Sequence, residues 1–196
     1  MASSARLRPN PRVLRKLSAV RAVLFDRDDT LVFDVPRYNG DPLRVTPIPG
    51  ARNAVARLRE EGFKLGVVSN QSGIGRGMLT VEQVESVNSR VQQLVGRMDT
   101  WRYCPHTALD SCRCRKPGPQ LIHDAAADLG LSAYQTVVIG DIGSDVLAAR
   151  AAGAVGILVP SPRTLKEEIR QAPIVADNLG QAVELILSAS SVVGSR

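Results

Sequence analysis

Apolar positions along the chain follow two alternating rhythms. Short unbroken runs rich in β-formers, Arg21–Phe25, Lys64–Ser69, Thr136–Gly140 and Gly156–Val159, have the character of strands buried on both faces. Between them apolar residues recur at helical spacing. Ala51, Ala54, Val55 and Leu58 follow a Pro49-Gly50 turn and end at Glu61-Gly62, while Val81, Val84, Val87, Val91 and Leu94 stripe a predicted helix over Thr80–Arg97. Further helices are predicted over Pro119–Leu129 and Asp145–Ala152, with Ile174–Ala176 and Asn178–Leu187 as the last strand and helix. Strands and helices alternating over a whole chain predict an α/β fold, a doubly wound parallel sheet whose functional groups sit at the carboxyl ends of its strands.

Two segments break the rhythm: Val32–Thr46, with Pro36, Gly40 and Pro42, and Tyr103–Pro119, dense in Cys, His, Arg, Lys and Pro. Loops this long inside a compact domain are usually functional. The 196 residues suit one domain, with no apolar run near the roughly 20 residues of a membrane span. The net charge of +6 suggests nucleic acid, but its distribution argues against it. Residues 1–21 hold six of the 25 basic residues and no acid, leaving a neutral body of 19 bases and 19 acids. The division expected is a mobile basic tail over 1–20, a folded domain over 21–188 and a frayed end over 189–196. Three clustered cysteines do not make a disulfide framework, so a reducing cytoplasm and a metal-binding role are expected, in a monomer.

The candidate chemistry lies where the strands stop. Asp26-Arg27-Asp28-Asp29-Thr30 follows the first strand, and Asp141 and Asp145 follow Thr136–Gly140. In a parallel sheet both ends open on one side, so Asp26, Asp28 and Asp141 are expected to converge. Three carboxylates in one site need a cation, and a hard divalent ion such as Mg²⁺ suits oxygen ligands.

Asp26-x-Asp28-x-Thr30, Ser69 at the end of the second strand, Lys116 before Pro117, and Gly140-Asp141-x-x-x-Asp145 together resemble the four motifs of the haloacid dehalogenase (HAD) superfamily, in its phosphatase branch. The resemblance covers about residues 22 to 160. It implies Asp26 as a nucleophile that forms an aspartyl-phosphate, Asp28 as general acid and base, and Lys116 as the cation that stabilises phosphate. It further implies Thr30 and Ser69 as phosphoryl donors, Mg²⁺ on Asp26, Asp141 and the carbonyl of Asp28, and Asp145 in support of that shell. Gly is frequent in the superfamily where this chain has Asp29, and Asp is also found there. Dehalogenases lack the second aspartate because a halide needs no proton, so Asp28 favours phosphatase chemistry.

Cys104-Pro105-His106 and Cys112-Arg113-Cys114 place three thiols and an imidazole within eleven residues, enough for a tetrahedral structural Zn²⁺ site. Such a staple would hold a loop that runs directly into Arg115-Lys116. His123 is expected on a helix surface. With Ser69-Asn70-Gln71-Ser72-Gly73-Ile74 and Gly75-Arg76-Gly77, these loops resemble the bacterial heptose 1,7-bisphosphate phosphatases and the related histidinol-phosphate phosphatases. The resemblance implies substrate contacts from Asn70, Gln71, Arg115 and Lys116, with Arg115 gripping a second phosphate. Only about forty residues separate Thr30 from Ser69, too few for a large cap domain. The Val32–Thr46 loop departs from the heptose enzymes, and its Arg37-Tyr38-Asn39 bears on sugar preference.

The leading expectation is a Mg²⁺-dependent phosphatase of a small phosphorylated metabolite, a heptose 1,7-bisphosphate before histidinol phosphate. A polynucleotide 3′-phosphatase fits the basic tail but not the neutral body or the 4% aromatic content. A non-catalytic binding module on the same fold is the reading from another class.

Overall fold

The computed structural model describes residues 11–34 and 37–191. Five parallel strands, β1 (Ala22–Phe25), β2 (Lys64–Asn70), β3 (Thr100–Cys104), β4 (Thr136–Gly140) and β5 (Val155–Leu158), form one sheet in the order β3-β2-β1-β4-β5. The α-helices are α1 (Pro11–Ser18), α2 (Ala51–Glu60), α3 (Val81–Val95), α4 (Gln120–Asp128), α5 (Gly143–Ala152), α6 (Lys166–Gln171) and α7 (Leu179–Ser191). The first strand is central, flanked by β2 and β4, so chain order reverses at β1. A crevice at the carboxyl ends follows from that reversal.

The continuous apolar runs are explained by burial on both faces. Val23 and Phe25 of β1 join Leu65 and Val67 of β2 and Val137 and Ile139 of β4 in a core under α2, α3 and α7. The intervening residues Leu24, Val68 and Val138 point the other way, into a second core with Leu121, Ile122 and Ala125 of α4 and Ala148, Ala149 and Ala152 of α5. The core face of α3 is the predicted stripe, shifted by one turn: Val84, Val87, Val91 and Val95 are buried, and Val81 is exposed. Thr80 caps this helix, its hydroxyl accepting from Gln83 N while the Gln83 amide accepts from Thr80 N.

Four expectations need correction. The basic tail is not mobile throughout: residues 11–18 are helical, Leu17 and Val20 are fully buried, and α1 lies against α7. Its charges obscured the spacing Leu14, Leu17, Val20 in the sequence. At the other end α7 continues to Ser191 with Ala189 buried, past the expected fraying point; residues 1–10 and 192–196 lie outside the described residues. The segment Thr100–Cys104 is an edge strand whose exposed Arg102 and half-buried Trp101 and Tyr103 hid it from an apolar-run criterion. Ile174–Ala176 makes a single bridge, Val175 to Leu158, instead of a strand.

Candidate active site

Each carboxyl-terminal strand end delivers one part of the site. Asp26 leaves β1 with its N–H donating to Ile139 O of β4 at 2.8 Å, which fixes it between the two strands. Ser69 is the penultimate residue of β2, Asp141 follows β4, and Asp145 sits in the first turn of α5. Gly140 is obligatory at this bend: a Cβ there would lie 2.3 Å from Asp145 Cγ. These residues line one open cleft of about 400 Å³ with Arg27, Asp28, Asn70, Gln71, Arg115 and Lys116.

Carboxyl oxygens of Asp26, Asp141 and Asp145 fall within 4.8 Å of one another, and all three residues are buried. Lys116 Nζ is the buried cation among them. It donates to Asp26 Oδ1 at 2.6 Å and to Val68 O at 2.8 Å, and lies 2.5 Å from Asp145 Oδ1. Its own burial opposes the charge, but Asp145 and Asp26 more than offset that and raise its pKa. Burial, only partly countered by Lys116, lifts the Asp26 carboxyl well above its ordinary range, and burial lifts Asp141 to about 7 against the hydrogen bond from Ser161. One ammonium does not neutralise this cluster. Its all-oxygen donor set and excess negative charge fit a hard divalent cation held by Asp26 and Asp141. Asp145 is committed otherwise: its second oxygen accepts from Ile142 N at 3.2 Å, so it caps α5 while orienting Lys116.

Asp28 has the most exposed side chain of the acidic motif's first pair, and both its oxygens are held. Arg27 Nε donates to Oδ1 at 3.0 Å and Nη2 to Oδ2 at 3.1 Å, joined by Gln71 Nε2 at 2.8 Å. Arg27 is itself buried and anchored, donating to Asn88 Oδ1 of α3 and to Gln71 Oε1, each at 2.8 Å. Nothing in the sequence singled out Arg27 or Asn88. The only signal was a polar Asn on the α3 core face, where a buried amide needs a partner.

Asn70 and Gln71 line the cleft as expected, but their amides are occupied by the protein. Asn70 exchanges two hydrogen bonds with the Lys116 backbone, and Gln71 also donates to Ser69 Oγ at 2.7 Å. Thr30 differs from expectation. It is buried, its hydroxyl finds no partner among the described residues, and it faces a separate apolar depression beside Phe33 and Pro162 instead of the cleft. Arg115 is in the cleft, its Nη1 donating to His106 O at 3.3 Å.

Across the cleft, Arg163 clasps the loop after β1. It lies 3.3 Å from Asp29 Oδ2, pairs with Asp34 Oδ2 at 2.5 Å and donates to Asp34 O at 2.8 Å. Asp29 adopts φ 56° and its Oδ1 accepts from Asp34 N at 3.0 Å. Ser161, two residues before Arg163, donates to Asp141 Oδ2 at 2.8 Å, and Thr164 donates to Asp141 O. None of Asp34, Ser161, Arg163 or Thr164 stood out in the sequence, although a Pro-flanked loop at a strand's carboxyl end is where such groups belong.

Cys104, His106, Cys112 and Cys114 converge as expected. Their sulfurs are 3.1 to 3.6 Å apart, and His106 Nδ1 is 3.2 Å from Cys114 Sγ and 3.5 Å from Cys104 Sγ. A tetrahedron with metal–sulfur bonds of about 2.3 Å has edges of about 3.8 Å, close to this spacing. Burial, with the neighbouring thiols, pushes the Cys104 thiol up. One buried and two half-buried thiols with an imidazole suit a soft or borderline cation. His123 is exposed on α4.

Residues 113–182 match a family model described as HAD-hydrolase-like. The chain is 32% identical over 175 residues to the D-glycero-beta-D-manno-heptose-1,7-bisphosphate 7-phosphatase of Pseudomonas putida, covering 85% of this chain and all of that one. It is also 32% identical to the D-glycero-D-manno-heptose-1,7-bisphosphate 7-phosphatase of Chlorobaculum tepidum, covering 85% and 94%. Among solved structures it is similar to the D,D-heptose 1,7-bisphosphate phosphatase from B. bronchiseptica complexed with magnesium and phosphate, with a TM-score of 0.76, 26% identity, and 86% and 99% of the two chains covered.

Proposed function

The chain belongs to the heptose-1,7-bisphosphate 7-phosphatase family of HAD-like hydrolases, and on that footing we propose that it removes the 7-phosphate of a heptose 1,7-bisphosphate. The observation that carries this reading is the buried Lys116 between Asp26 and Asp145, beside Asp141, at the floor of an open cleft.

Asp26, Asp141 and the Asp28 carbonyl would hold Mg²⁺. Bound there, the ion offsets the charge of nucleophile and phosphoryl group and orients them. Asp26 attacks phosphorus through a carboxylate oxygen, forming the aspartyl-phosphate bond as the ester P–O bond breaks. The Asp28 carboxyl gives its proton to the departing sugar alkoxide, then takes one from the water whose oxygen displaces Asp26 and releases inorganic phosphate. Lys116 screens the repulsion between Asp26 and an anionic substrate, and the Ser69 hydroxyl donates to a phosphoryl oxygen. Asn70, Gln71 and Asp145 serve by positioning Lys116, Ser69 and Asp28. Cys104, His106, Cys112 and Cys114 would hold a structural Zn²⁺ that fixes the loop ahead of Arg115 and Lys116.

The test is phosphate release by purified protein from D-glycero-D-manno-heptose 1,7-bisphosphate and, separately, from histidinol phosphate. A Mg²⁺-dependent preference for the heptose, abolished in Asp26→Asn, supports the proposal. A higher kcat/KM on histidinol phosphate, or full activity in Asp26→Asn, overturns it.

A further inference from the structure

Three buried carboxylates share the floor of the cleft, but they are not held alike. Lys116 binds Asp26 and Asp145, and Asp145 is also fixed by Ile142 N. Asp141 is held differently. Among the described residues its carboxylate has a single hydrogen-bond donor, Ser161 Oγ, which lies 2.8 Å from Oδ2. No described donor reaches the other oxygen, Oδ1, so the carboxylate is anchored at one end and bare at the other. A hydrogen bond to one oxygen of a carboxylate turns its plane and aims the second oxygen, as the partners of metal-binding carboxylates do.

A serine hydroxyl can serve as donor or acceptor, and its direction follows from its neighbours. Here the neighbours leave one arrangement. Ser161 Oγ accepts from Arg163 N at 3.1 Å, so its one proton goes to Asp141. The turn that carries Ser161 is itself tied to Asp141: Thr164 Oγ1 accepts from Ser161 N at 2.8 Å and donates to Asp141 O at 2.5 Å. Val159 N donates to Gly140 O at 2.9 Å just before this turn, and Glu168 Oε1 accepts from Gly143 N at 2.9 Å just after it. The segment after β5 thus brackets the Asp141 turn through the residue before it, its carbonyl, its side chain and the amide two residues on.

We propose that Ser161 is a positioning residue for the cation of the cleft: its hydroxyl holds Asp141 by Oδ2 and so presents Oδ1 to a divalent ion, while Thr164 holds Ser161 in turn. The proposal rests on the reading of the cleft as a Mg²⁺ site and assigns to the loop after β5 a task in metal affinity.

The experiment measures Mg²⁺ binding to the metal-free protein by isothermal titration calorimetry, with no substrate present, in the wild type, Ser161→Ala, Ser161→Thr and Thr164→Val. Ser161→Ala raises the Mg²⁺ dissociation constant about tenfold or more, the usual cost of losing a hydrogen bond to a metal ligand. Ser161→Thr keeps the hydroxyl and recovers most of the affinity, and Thr164→Val weakens binding in the same direction as Ser161→Ala. Thermal melts of the metal-free variants separate this role from a merely structural one. A Ser161→Ala protein with a lowered Tm but an unchanged dissociation constant overturns the proposal, as does a loss of affinity that Ser161→Thr does not relieve. Should Ser161→Ala fail to fold, Thr164→Val decides, and wild-type Mg²⁺ affinity there overturns the bracket. A wild type that binds Mg²⁺ with this dependence on Ser161, yet releases no phosphate from a heptose 1,7-bisphosphate, overturns the phosphatase reading and leaves the positioning role standing.

Discussion

Asn70 and Lys116 grip each other reciprocally: Asn70 Oδ1 accepts from Lys116 N at 3.0 Å, and Asn70 Nδ2 donates to Lys116 O at 3.1 Å. A residue at the end of β2 thereby sets the backbone from which the Lys116 ammonium reaches Asp26. Asn70→Ala removes both bonds and leaves two backbone groups to find other partners. Steady-state kinetics should show kcat lowered by roughly 10- to 100-fold, equivalent to about 1–3 kcal/mol. Wild-type kcat in this variant would refute the positioning role.

Lys116→Met tests the same cation from the side of stability. Removing one partner from a buried charge cluster costs about 3–5 kcal/mol, because the remaining carboxylates are left uncompensated. Denaturant unfolding of the metal-free variant should register that loss, and adding Asp145→Asn should recover part of it. Equal stability of Lys116→Met and wild type would show that the ammonium is not what compensates this cluster.

The raised carboxyls give a pH dependence with a definite sign. In the metal-free fold Asp141 keeps its proton up to about pH 7, whereas in the unfolded chain it releases it near its ordinary value of 3.8. Folding therefore takes up protons between these values, and this group makes the apoprotein less stable as pH rises through that window. Magnesium held by Asp141 would replace the proton. Thermal melts should show a larger Mg²⁺-induced rise in Tm at pH 8 than at pH 6, and the reverse order would contradict the assignment of Asp141 to the metal.

Asp28 as proton donor predicts a dependence on the leaving group. p-Nitrophenolate departs without help, whereas a sugar alkoxide needs a proton. Asp28→Asn should therefore reduce the rate of aspartyl-phosphate formation far more with a sugar phosphate than with p-nitrophenyl phosphate, as measured by rapid quench. Equal losses on both would assign Asp28 to binding instead.

Protein purified with its thiols reduced should contain about one zinc per chain, the stoichiometry of a single Cys₃His site. Stripping that metal should lower phosphatase activity even in saturating Mg²⁺, since Arg115 and Lys116 follow Cys114 directly. Absence of zinc from such protein would remove the staple from the account.

What the sequence made legible follows from periodicity and from residue chemistry that needs no neighbours. Four of the five strands were visible because burial on both faces writes itself as an unbroken apolar run; β3, at the edge with Arg102 exposed, carries no such mark. Asp26, Asp141 and the Cys/His group were recognisable because acids and thiols at strand ends have few other uses. Arg27, Asn88 and Arg163 were not, because an arginine or asparagine in isolation looks like surface, and only the fold reveals that Asn88 meets Arg27 across 61 positions of sequence. The roles expected of Asn70 and Thr30 shifted for the same reason: a polar side chain near a site can face its neighbours instead of the ligand.

The Arg163 clasp carries a lesson for engineering. It joins the segment after β1 to the segment after β5, so the wall that faces substrate is inherited from two places in the chain that mutate separately. Grafting a relative's Val32–Thr46 loop into this scaffold, or this loop into another, transplants half a joint. Any such chimera must move position 163 with the loop, and libraries that diversify one without the other will sample mostly unanchored pockets.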